Sequence, residues 1–343
     1  MRDFSNRRRA LEVTTELAQA VTDTSKEFTV GQYINQLMMT EIGKSKTVTM
    51  ADGLLTFDEW QLDRIDKNIS GELEKYPKTG LDSIDKNLLF LEGGQTTRIA
   101  GEPGVGKTML MIQILLQAGC GRAAFSLEMQ LSRLMARILS ARTQIPVSAM
   151  RTGLGLNHEE MLAKLRACYS DLEKEQMFIN CSSVQTVESM YSEIAKLKAQ
   201  GHDIRLIGID YFGLVTERGN YSSPTEKEEV LSQKMQRLVK DLDVHAIIID
   251  SYNKAGFGKA RGSMGAMSGA ARKSYDVDNM ITLTVGDITP TGVQIFGDIV
   301  KSRDGEFKER RLGFMRELKK PIIRDMTPDE YDAMKAVQDA KSW

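Results

Sequence analysis

Cysteine is scarce in this sequence, and neither a targeting segment nor a membrane span is recognisable. The three cysteines among 343 residues, Cys120, Cys168 and Cys181, stand singly without C-x-x-C spacing. This pattern argues against a zinc site and against a disulfide framework. No apolar run of about 18 residues and no secretory signal is present. We therefore expect a reduced, cytoplasmic protein with no membrane partner.

The sequence also lacks an excess of charge of either sign. Its 46 basic residues nearly cancel its 47 acidic ones, which leaves a formal net charge of −1. A globally positive field is thereby excluded, and any contact with nucleic acid has to come from local clusters of basic residues. A composition of 41% hydrophobic and 27% charged residues is ordinary for a globular protein. The length allows one large α/β domain and a smaller appendage.

The smaller part is predicted to be helical. Residues 1–53 form a helical hairpin region, since apolar residues recur at helical spacing from Asn6 to Thr22 and from Val30 to Ile42. Residues 54–77 form a linker helix, predicted from about Thr56 to Ser70, with an apolar stripe along one side. That stripe needs a partner surface. The residues alone favour packing on its own domain over docking on a neighbouring subunit.

The larger part, residues 78–318, alternates strands and helices and is followed by a polar helical tail at 319–343. This alternation predicts an α/β fold with a mainly parallel sheet covered on both faces. The predicted strands are Thr97–Gly101, Ala123–Ser126, Gln176–Asn180, Ile204–Asp210, His245–Asp250, Asn279–Val285, Val293–Ser302 and Arg311–Met315. Three isolated histidines, His158, His202 and His245, are expected to be structural or surface residues.

A phosphate-binding loop follows the first of these strands. The segment matches G-x-x-x-x-G-K-[ST] at every fixed position and lies between a buried strand and an apolar helix, the context that this motif requires. Its backbone N–H groups and the helix dipole would face an anion. We expect ATP as the ligand, with Mg²⁺ on the Thr108 hydroxyl. The predicted nucleotide-binding residues are Gly101, Glu102, Pro103, Gly104, Val105, Gly106, Lys107, Thr108 and Met109.

Two carboxylates at strand ends complete the predicted chemistry. Asp210 ends an apolar strand about a hundred residues after the loop, the form of a Walker B element, and would support Mg²⁺. Glu128 follows another strand whose carboxyl end opens onto the same crevice, so it is our candidate for orienting the attacking water. By position alone, Glu128 also fits a helix cap or a surface carboxylate.

Three segments behind the loop, in this order, make a family resemblance specific. They are Phe125-Ser126-Leu127-Glu128-Met129, Met150-Arg151-Thr152-Gly153 and Ile209-Asp210-Tyr211. Together they resemble the C-terminal RecA-like motor of the DnaB-type replicative helicases. The resemblance implies a RecA-like P-loop NTPase fold and a homo-oligomeric ring, usually a hexamer, in a bacterial or phage-infected cell. It also implies that the linker helix docks on the next subunit and that Glu128 is the catalytic carboxylate.

A ring motor needs a cation that one subunit offers to the nucleotide of the next. The segment Val300-Lys301-Ser302-Arg303-Asp304-Gly305 is similar to the family's Lys-x-Arg element. We assign Arg303 as the arginine finger and Lys301 as its helper, although a basic pair beside a turn is also common at solvated edges.

Contact with single-stranded DNA is predicted for a basic, glycine-rich loop. The segment from Ser251 to Tyr275 has five glycines and no acidic residue, which suits binding to phosphates without base reading. Phe257 could stack on a base or be buried, and Gly219 to Thr225 is a second loop candidate. The predicted DNA-binding residues are Lys254, Lys259, Arg261, Arg272 and Lys273.

Two departures from the family pattern affect the expected activity. Many members carry a Ser-Gln-Leu-Asn-Arg-like sequence where this chain has Asp250-Ser251-Tyr252-Asn253-Lys254, so Ser251 stands in place of the glutamine that senses the γ-phosphate. The amino-terminal globular subdomain that often engages primase is expected to be absent, which puts primase binding in doubt, while a primase or a helicase loader stays a candidate partner.

The sequence thus predicts a DNA helicase that moves on single-stranded DNA and unwinds duplex during replication. Two alternatives stay open. One is a RecA-like recombinase or regulatory ATPase that does not unwind DNA, and the other is an assembly or loading factor in which nucleotide only switches conformation.

Overall fold

The computed structural model describes residues 15–16, 48–153, 157–217, 219, 221–251, 277–305, 311–317 and 322–333. The chain divides into two units, Met1–Glu74 and Lys75–Trp343. Thr15 and Glu16 are helical. The rest of the predicted helical hairpin region, up to residue 47, lies outside the described residues, and residues 50–53 belong to the helix that follows. Within these ranges, no helix combines the length and the apolar character needed to cross a bilayer.

The first unit contains the predicted linker helix, here α1, Met50–Ile69. The helix begins six residues before Thr56, earlier than we predicted. Thr49 caps it, because its side chain accepts from the backbone N–H of Asp52 at 3.2 Å and the Asp52 carboxylate accepts from the N–H of Thr49 at 3.3 Å. Such a reciprocal pair satisfies two N–H groups that a helix start otherwise leaves without partners. None of the residues of α1 is buried within this unit.

The second unit is built on one nine-stranded sheet in the order β3-β2-β4-β5-β1-β6-β7-β8-β9. Neighbours from β3 to β6 are parallel and those from β6 to β9 are antiparallel. The strands are β1 (Thr96–Gly101), β2 (Gly121–Ser126), β3 (Met177–Asn180), β4 (Ile204–Asp210), β5 (His245–Ser251), β6 (Asn279–Ile288), β7 (Gly292–Ser302), β8 (Arg311–Glu317) and β9 (Ile323–Asp325). The predicted α/β fold with a mainly parallel sheet is confirmed.

Seven helices of this unit are described in full. They are α2 (Asp82–Leu88), α3 (Lys107–Gln117), α4 (Leu131–Thr143), α5 (Val147–Thr152), α6 (His158–Lys174), α7 (Val187–Ala199) and α8 (Pro224–Leu242). They supply the cover for a sheet whose central strands alternate between two cores. In β5, for example, Ile247 and Ile249 belong to the core with α3, while Ala246 and Ile248 belong to the core with α7 and α8. This alternation is the two-residue period of a strand buried on both faces.

The sheet continues past residue 318, where we expected the motor to end and a polar tail to begin. β9 pairs with β8, and its Ile323 exchanges two hydrogen bonds with the Gln113 side chain of α3, at 2.8 and 3.0 Å. The buried amide of Gln113 therefore takes the place of a further strand. Three residues are too short a run for the alternation of a strand to show in the sequence.

His245 is a structural histidine, as expected. It is completely buried at the start of β5, where its Nδ1 lies 2.7 Å from the Glu92 carbonyl oxygen and its Nε2 lies 2.9 Å from the Thr97 hydroxyl. The carbonyl can only accept, so Nδ1 carries the proton and the hydroxyl donates to Nε2. Burial lowers the pKa of His245 from 6.5 to about 3, although the charge of Asp278 opposes this.

We predict that His245 makes the protein acid-sensitive. As the pH falls below 6.5 towards 3, the imidazole of His245 binds a proton in the unfolded chain but stays neutral in the folded chain. The free energy of unfolding then falls by about 1.4 kcal/mol per pH unit from this group. The His245→Asn variant should lose that contribution. Urea unfolding from neutral pH down to about pH 5 measures it.

The control for this prediction is His158→Asn, since His158 is exposed. The wild type and this control should show the same pH dependence. Equal slopes for the wild type and His245→Asn would contradict the prediction.

Candidate active site

The carboxyl ends of four parallel strands bring the predicted catalytic groups to one edge of the sheet. The phosphate-binding loop follows β1, Glu128 follows β2, Asp210 ends β4 and Asp250 lies near the end of β5. The register aligns these ends, because Ser126 is opposite Asp210 and Ala100 is opposite Asp250. Crevices at this edge are where open α/β sheets bind their ligands.

Two glycines give the phosphate-binding loop its shape. Gly104 and Gly106 have φ angles of 79° and 112°, which side chains rarely adopt. At Gly106, a Cβ atom would also lie 3.1 Å from Ile323 Cδ1 of β9. Arg316 of β8 donates a hydrogen bond to the Gly104 carbonyl oxygen. The antiparallel strands at the end of the chain therefore contact the loop directly.

Lys107, the first residue of α3, folds back over its own loop. Its ammonium donates to the carbonyl oxygens of Gly101 and Glu102 at 2.8 and 2.9 Å. Burial lowers the pKa of Lys107, while the charges of Asp210, Asp250 and Glu128 oppose that shift. A partly desolvated cation that donates to carbonyl groups is well suited to exchange them for the oxygens of a phosphate.

Thr108 and Asp210 form the pair that we predicted for a divalent cation. The Thr108 hydroxyl donates to Asp210 Oδ2 at 2.8 Å, and Asp210 is 1% exposed. Burial raises the pKa of Asp210, the hydrogen bond from Thr108 opposes this, and the nearby charge of Glu128 raises it further. A hydroxyl and a carboxylate are hard oxygen ligands, so these residues fit Mg²⁺.

Glu128 is exposed and lines the same cleft as Lys107, Thr108 and Asp210. Its position is set by β2, because the Leu127 N–H extends the pairing with β4 by donating to the Asp210 carbonyl oxygen at 2.7 Å. The Glu128 carboxylate is therefore exposed to solvent close to the Thr108–Asp210 pair and the phosphate-binding loop. This arrangement suits a group that orients water.

Three arginines of α4 and α5 that we did not predict as site residues line the same cleft, which has a volume of about 760 Å³. Arg133 and Arg137 are one helical turn apart on α4, and Arg151 is on α5. The charge of Arg137 reaches Asp210, whose pKa it lowers. An available signal was the i, i+4 spacing just after Glu128, which places two cations on one helix face. We interpreted this helix only as cover for the sheet.

Arg303 and Lys301 lie at the opposite edge of the sheet from their own phosphate-binding loop. Arg303 Nη1 donates to Asp278 Oδ1 at 2.5 Å, and Asp278 Oδ2 accepts from the backbone N–H of Thr96 at 2.9 Å. Thr96 begins β1, whereas Gly101 ends it, about 17 Å away at the usual rise of a strand. The Arg303 side chain is 53% exposed, while that of Asp278 is 2% exposed.

The remaining predicted site residues are not placed. The five basic residues of the DNA-binding prediction lie outside the described residues, as does Phe257. Ser251 is the last residue of β5, next to the cleft-lining Asp250.

We predict that Arg137 contributes to phosphate binding by its own subunit. Loss of one cation that lines the cleft should weaken ATP binding about tenfold, or ~1.4 kcal/mol. The change is Arg137→Ala, and titration with a fluorescent ATP analogue measures the dissociation constant. The control is Arg166→Ala, which removes the same charge from an exposed position of α6. Equal affinities of the two variants would refute the assignment.

Comparison with known proteins places this fold in a family. A family model described as the DnaB-like helicase C terminal domain matches residues 77–320. The replicative DNA helicase DnaB of Helicobacter pylori is 28% identical over 183 residues, which are 52% of this chain and 36% of the relative. That of Pasteurella multocida is 25% identical over 180 residues, which are 51% of this chain and 38% of the relative. The match therefore spans well under half the length of these curated relatives.

Two solved structures share the fold. One, described as a DnaB-like replicative helicase and its interactions with primase, has a TM-score of 0.71 at 16% identity and covers 95% of this chain and 77% of that one. The other, an ATPase domain, has a TM-score of 0.68 at 17% identity and covers 81% of this chain and 99% of that one. With the matched family model and the active-site geometry above, the conclusion is that the chain belongs to the DnaB-like helicase C-terminal domain family.

Proposed function

We propose that the protein is a ring-forming, ATP-dependent DNA helicase that translocates on single-stranded DNA and unwinds duplex during replication. The observation that carries this proposal is the convergence of Lys107, Thr108, Asp210 and Glu128 on one cleft of a DnaB-like domain. The site combines the phosphate-binding loop, the Thr108–Asp210 pair proposed to bind a divalent cation, and the solvent-facing carboxylate of Glu128. Those are the parts that hydrolysis of a nucleoside triphosphate requires.

Each of these residues has a distinct part in hydrolysis. Lys107 and the loop N–H groups bind the β- and γ-phosphates of ATP. Thr108 and Asp210 would hold Mg²⁺, which would supply positive charge next to the phosphate oxygens. Glu128 orients a water molecule and accepts its proton while the new bond to the γ-phosphorus forms and the bond to the ADP oxygen breaks. Arg137 balances the negative charge that collects in the cleft.

The position of Arg303 supports a role in the neighbouring subunit. Asp278 anchors the guanidinium at the amino end of β1, so Arg303 cannot reach the phosphates held at the carboxyl end of the same strand. Its half-exposed side chain is available to a second subunit. Repeated head-to-tail contacts of this kind generate a ring when the rotation between subunits closes. We propose Arg303 as the arginine finger, Lys301 as its helper and a hexamer as the assembly.

The DNA partner is proposed from the sequence of the segment between β5 and β6. Its residues Lys254, Lys259, Arg261, Arg272 and Lys273 provide local positive charge in a chain of net charge −1. Such clusters bind phosphates of a single strand without reading its bases. A relative is described together with primase. We therefore propose a primase or a helicase loader as a further partner, in the cytoplasm of a bacterial or phage-infected cell.

The first test separates catalysis from binding. Lys107→Ala should weaken ATP binding and lower hydrolysis at least about 100-fold, because it removes the cation at the phosphates. Glu128→Gln should keep ATP binding but lower hydrolysis about 10²- to 10⁴-fold, because it removes the base. Both changes should abolish unwinding of a forked duplex. Hydrolysis with and without single-stranded DNA and a strand-separation assay provide the measurements.

Matched controls come from the exposed pair Lys164 and Glu160 on α6, which are 2.7 Å apart. Lys164→Ala and Glu160→Gln should leave all three activities unchanged. DNA-stimulated hydrolysis without unwinding would favour the recombinase-like or regulatory alternative. Nucleotide binding without hydrolysis would favour the assembly factor.

A second test asks whether Arg303 acts on the neighbour's nucleotide. Rings of only Lys107→Ala or only Arg303→Ala subunits should not hydrolyse ATP. When the two variants are co-expressed in equal amounts, about a quarter of the seams regain an intact loop and an intact finger. Hydrolysis should recover to a comparable fraction of the wild-type rate. No recovery in rings shown to contain both variants would mean that Arg303 acts within its own subunit or not at all.

A further inference from the structure

Arg98 lies in the middle of β1, where its register partners on the two neighbouring strands, Ile248 and Met280, are apolar. It is 1% exposed, and its guanidinium extends to α8 and to the end of β5. Nη1 lies 3.3 Å from Asp250 Oδ2 and 3.4 Å from Glu228 Oε1, and Nη2 lies 3.2 Å from Ser232 Oγ. The centre of the Phe212 ring lies 5.2 Å from the Cζ atom of the same guanidinium.

These contacts do not make Arg98 a good stabiliser of the fold. They are long for charge-assisted hydrogen bonds, which are typically about 2.7–2.9 Å. The buried Arg98 Nε has no hydrogen-bond partner among the residues that the structure describes. Replacement of a buried ion pair by apolar side chains is often neutral or stabilising. The presence of this charge at the centre of the sheet therefore calls for a reason other than stability.

The two carboxylates that contact Arg98 lie in different parts of the fold. Asp250 is 4% exposed and lines the nucleotide cleft, where its charge opposes the lowering of the pKa of Lys107. Glu228 lies in the second turn of α8. A single buried guanidinium thus joins the cleft to a helix that does not itself line it.

The start of α8 is tied to the residues before it, which form the second loop that we considered for DNA contact. The Ser223 side chain caps the helix by accepting from the N–H of Glu226 at 3.2 Å, and the Glu226 carboxylate accepts from the N–H of Ser222 at 2.6 Å. A displacement of the first turns of α8 would therefore move this loop.

We propose that Arg98, Asp250 and Glu228 form a relay that transmits nucleotide occupancy from the cleft to α8 and the loop before it. In this relay, a bound phosphate and its metal ion change the electric field at Asp250. The Arg98 guanidinium then interacts more strongly with one of the two carboxylates, Asp250 or Glu228, and less strongly with the other. Arg98 and Glu228 are positioning residues in this relay. The inference rests on the proposed function, since it needs a nucleotide in the cleft.

The test changes the half-exposed end of the relay, so that the fold is preserved. Glu228→Gln removes the charge on α8 but keeps the side-chain shape, and the matched control is Glu229→Gln, the exposed neighbour on the same helix. Hydrogen exchange of peptides covering residues 221–232 is measured with and without a non-hydrolysable ATP analogue. The wild type and the control should show a nucleotide-dependent difference, and Glu228→Gln should lose most of it while its affinity for the analogue stays within about twofold.

A second measurement uses DNA. The ratio of DNA-stimulated to basal hydrolysis should fall about fivefold or more in Glu228→Gln, with the basal rate unchanged, since coupling energies usually have at least this size. The relay would be overturned if Glu228→Gln showed the same nucleotide-dependent exchange difference as the wild type. It would also be overturned if the wild type showed no such difference. A wild type that binds the analogue and shows the difference but does not unwind DNA would overturn the proposed helicase function and leave the relay intact.

Discussion

The parallel pairing of β2, β4, β5 and β1 is the constraint on which the active site depends. Parallel strands in register end at the same edge, so a side chain that follows one strand meets those that follow its neighbours. Glu128 and Asp210 are 82 positions apart in the chain, but the pairing of Ser126 with Asp210 brings them to one cleft. The phosphate-binding loop reaches the same place because β1 is next to β5.

This convergence brings several carboxylates close together, and cations from several elements offset their negative charge. Asp210, Asp250 and Glu128 all act on Lys107, and burial makes the ionised form of Asp210 costly. Arginines of α4 and α5 line the same cleft, and Arg137 favours the ionised form of Asp210. A cleft with this balance is prepared for a polyanion together with a divalent cation, because both can exchange partners that are already in place.

The two edges of the sheet have different roles. The carboxyl edge holds the phosphate-binding loop, Asp210 and Glu128, while the amino edge holds Arg303 through the buried Asp278. If Arg303 is the finger that we propose, the two halves of the catalytic site lie at places that cannot meet within one chain. The proposed head-to-tail association would join them, and this is why we propose a ring over an isolated subunit.

The sequence by itself predicted the phosphate-binding loop, eight of the nine strands and the positions of Asp210 and Glu128 at strand ends, because short-range spacing and apolar runs carry that information. It did not predict β9, whose three residues are held by Gln113, or the cleft face of α4, whose arginines look like solvated surface in one dimension. Only the tertiary structure decided which strand ends meet, that Arg303 is anchored at the far edge, and that Arg98 lies between Asp250 and Glu228. Pairing between distant segments is a property of packing, and no local pattern encodes it.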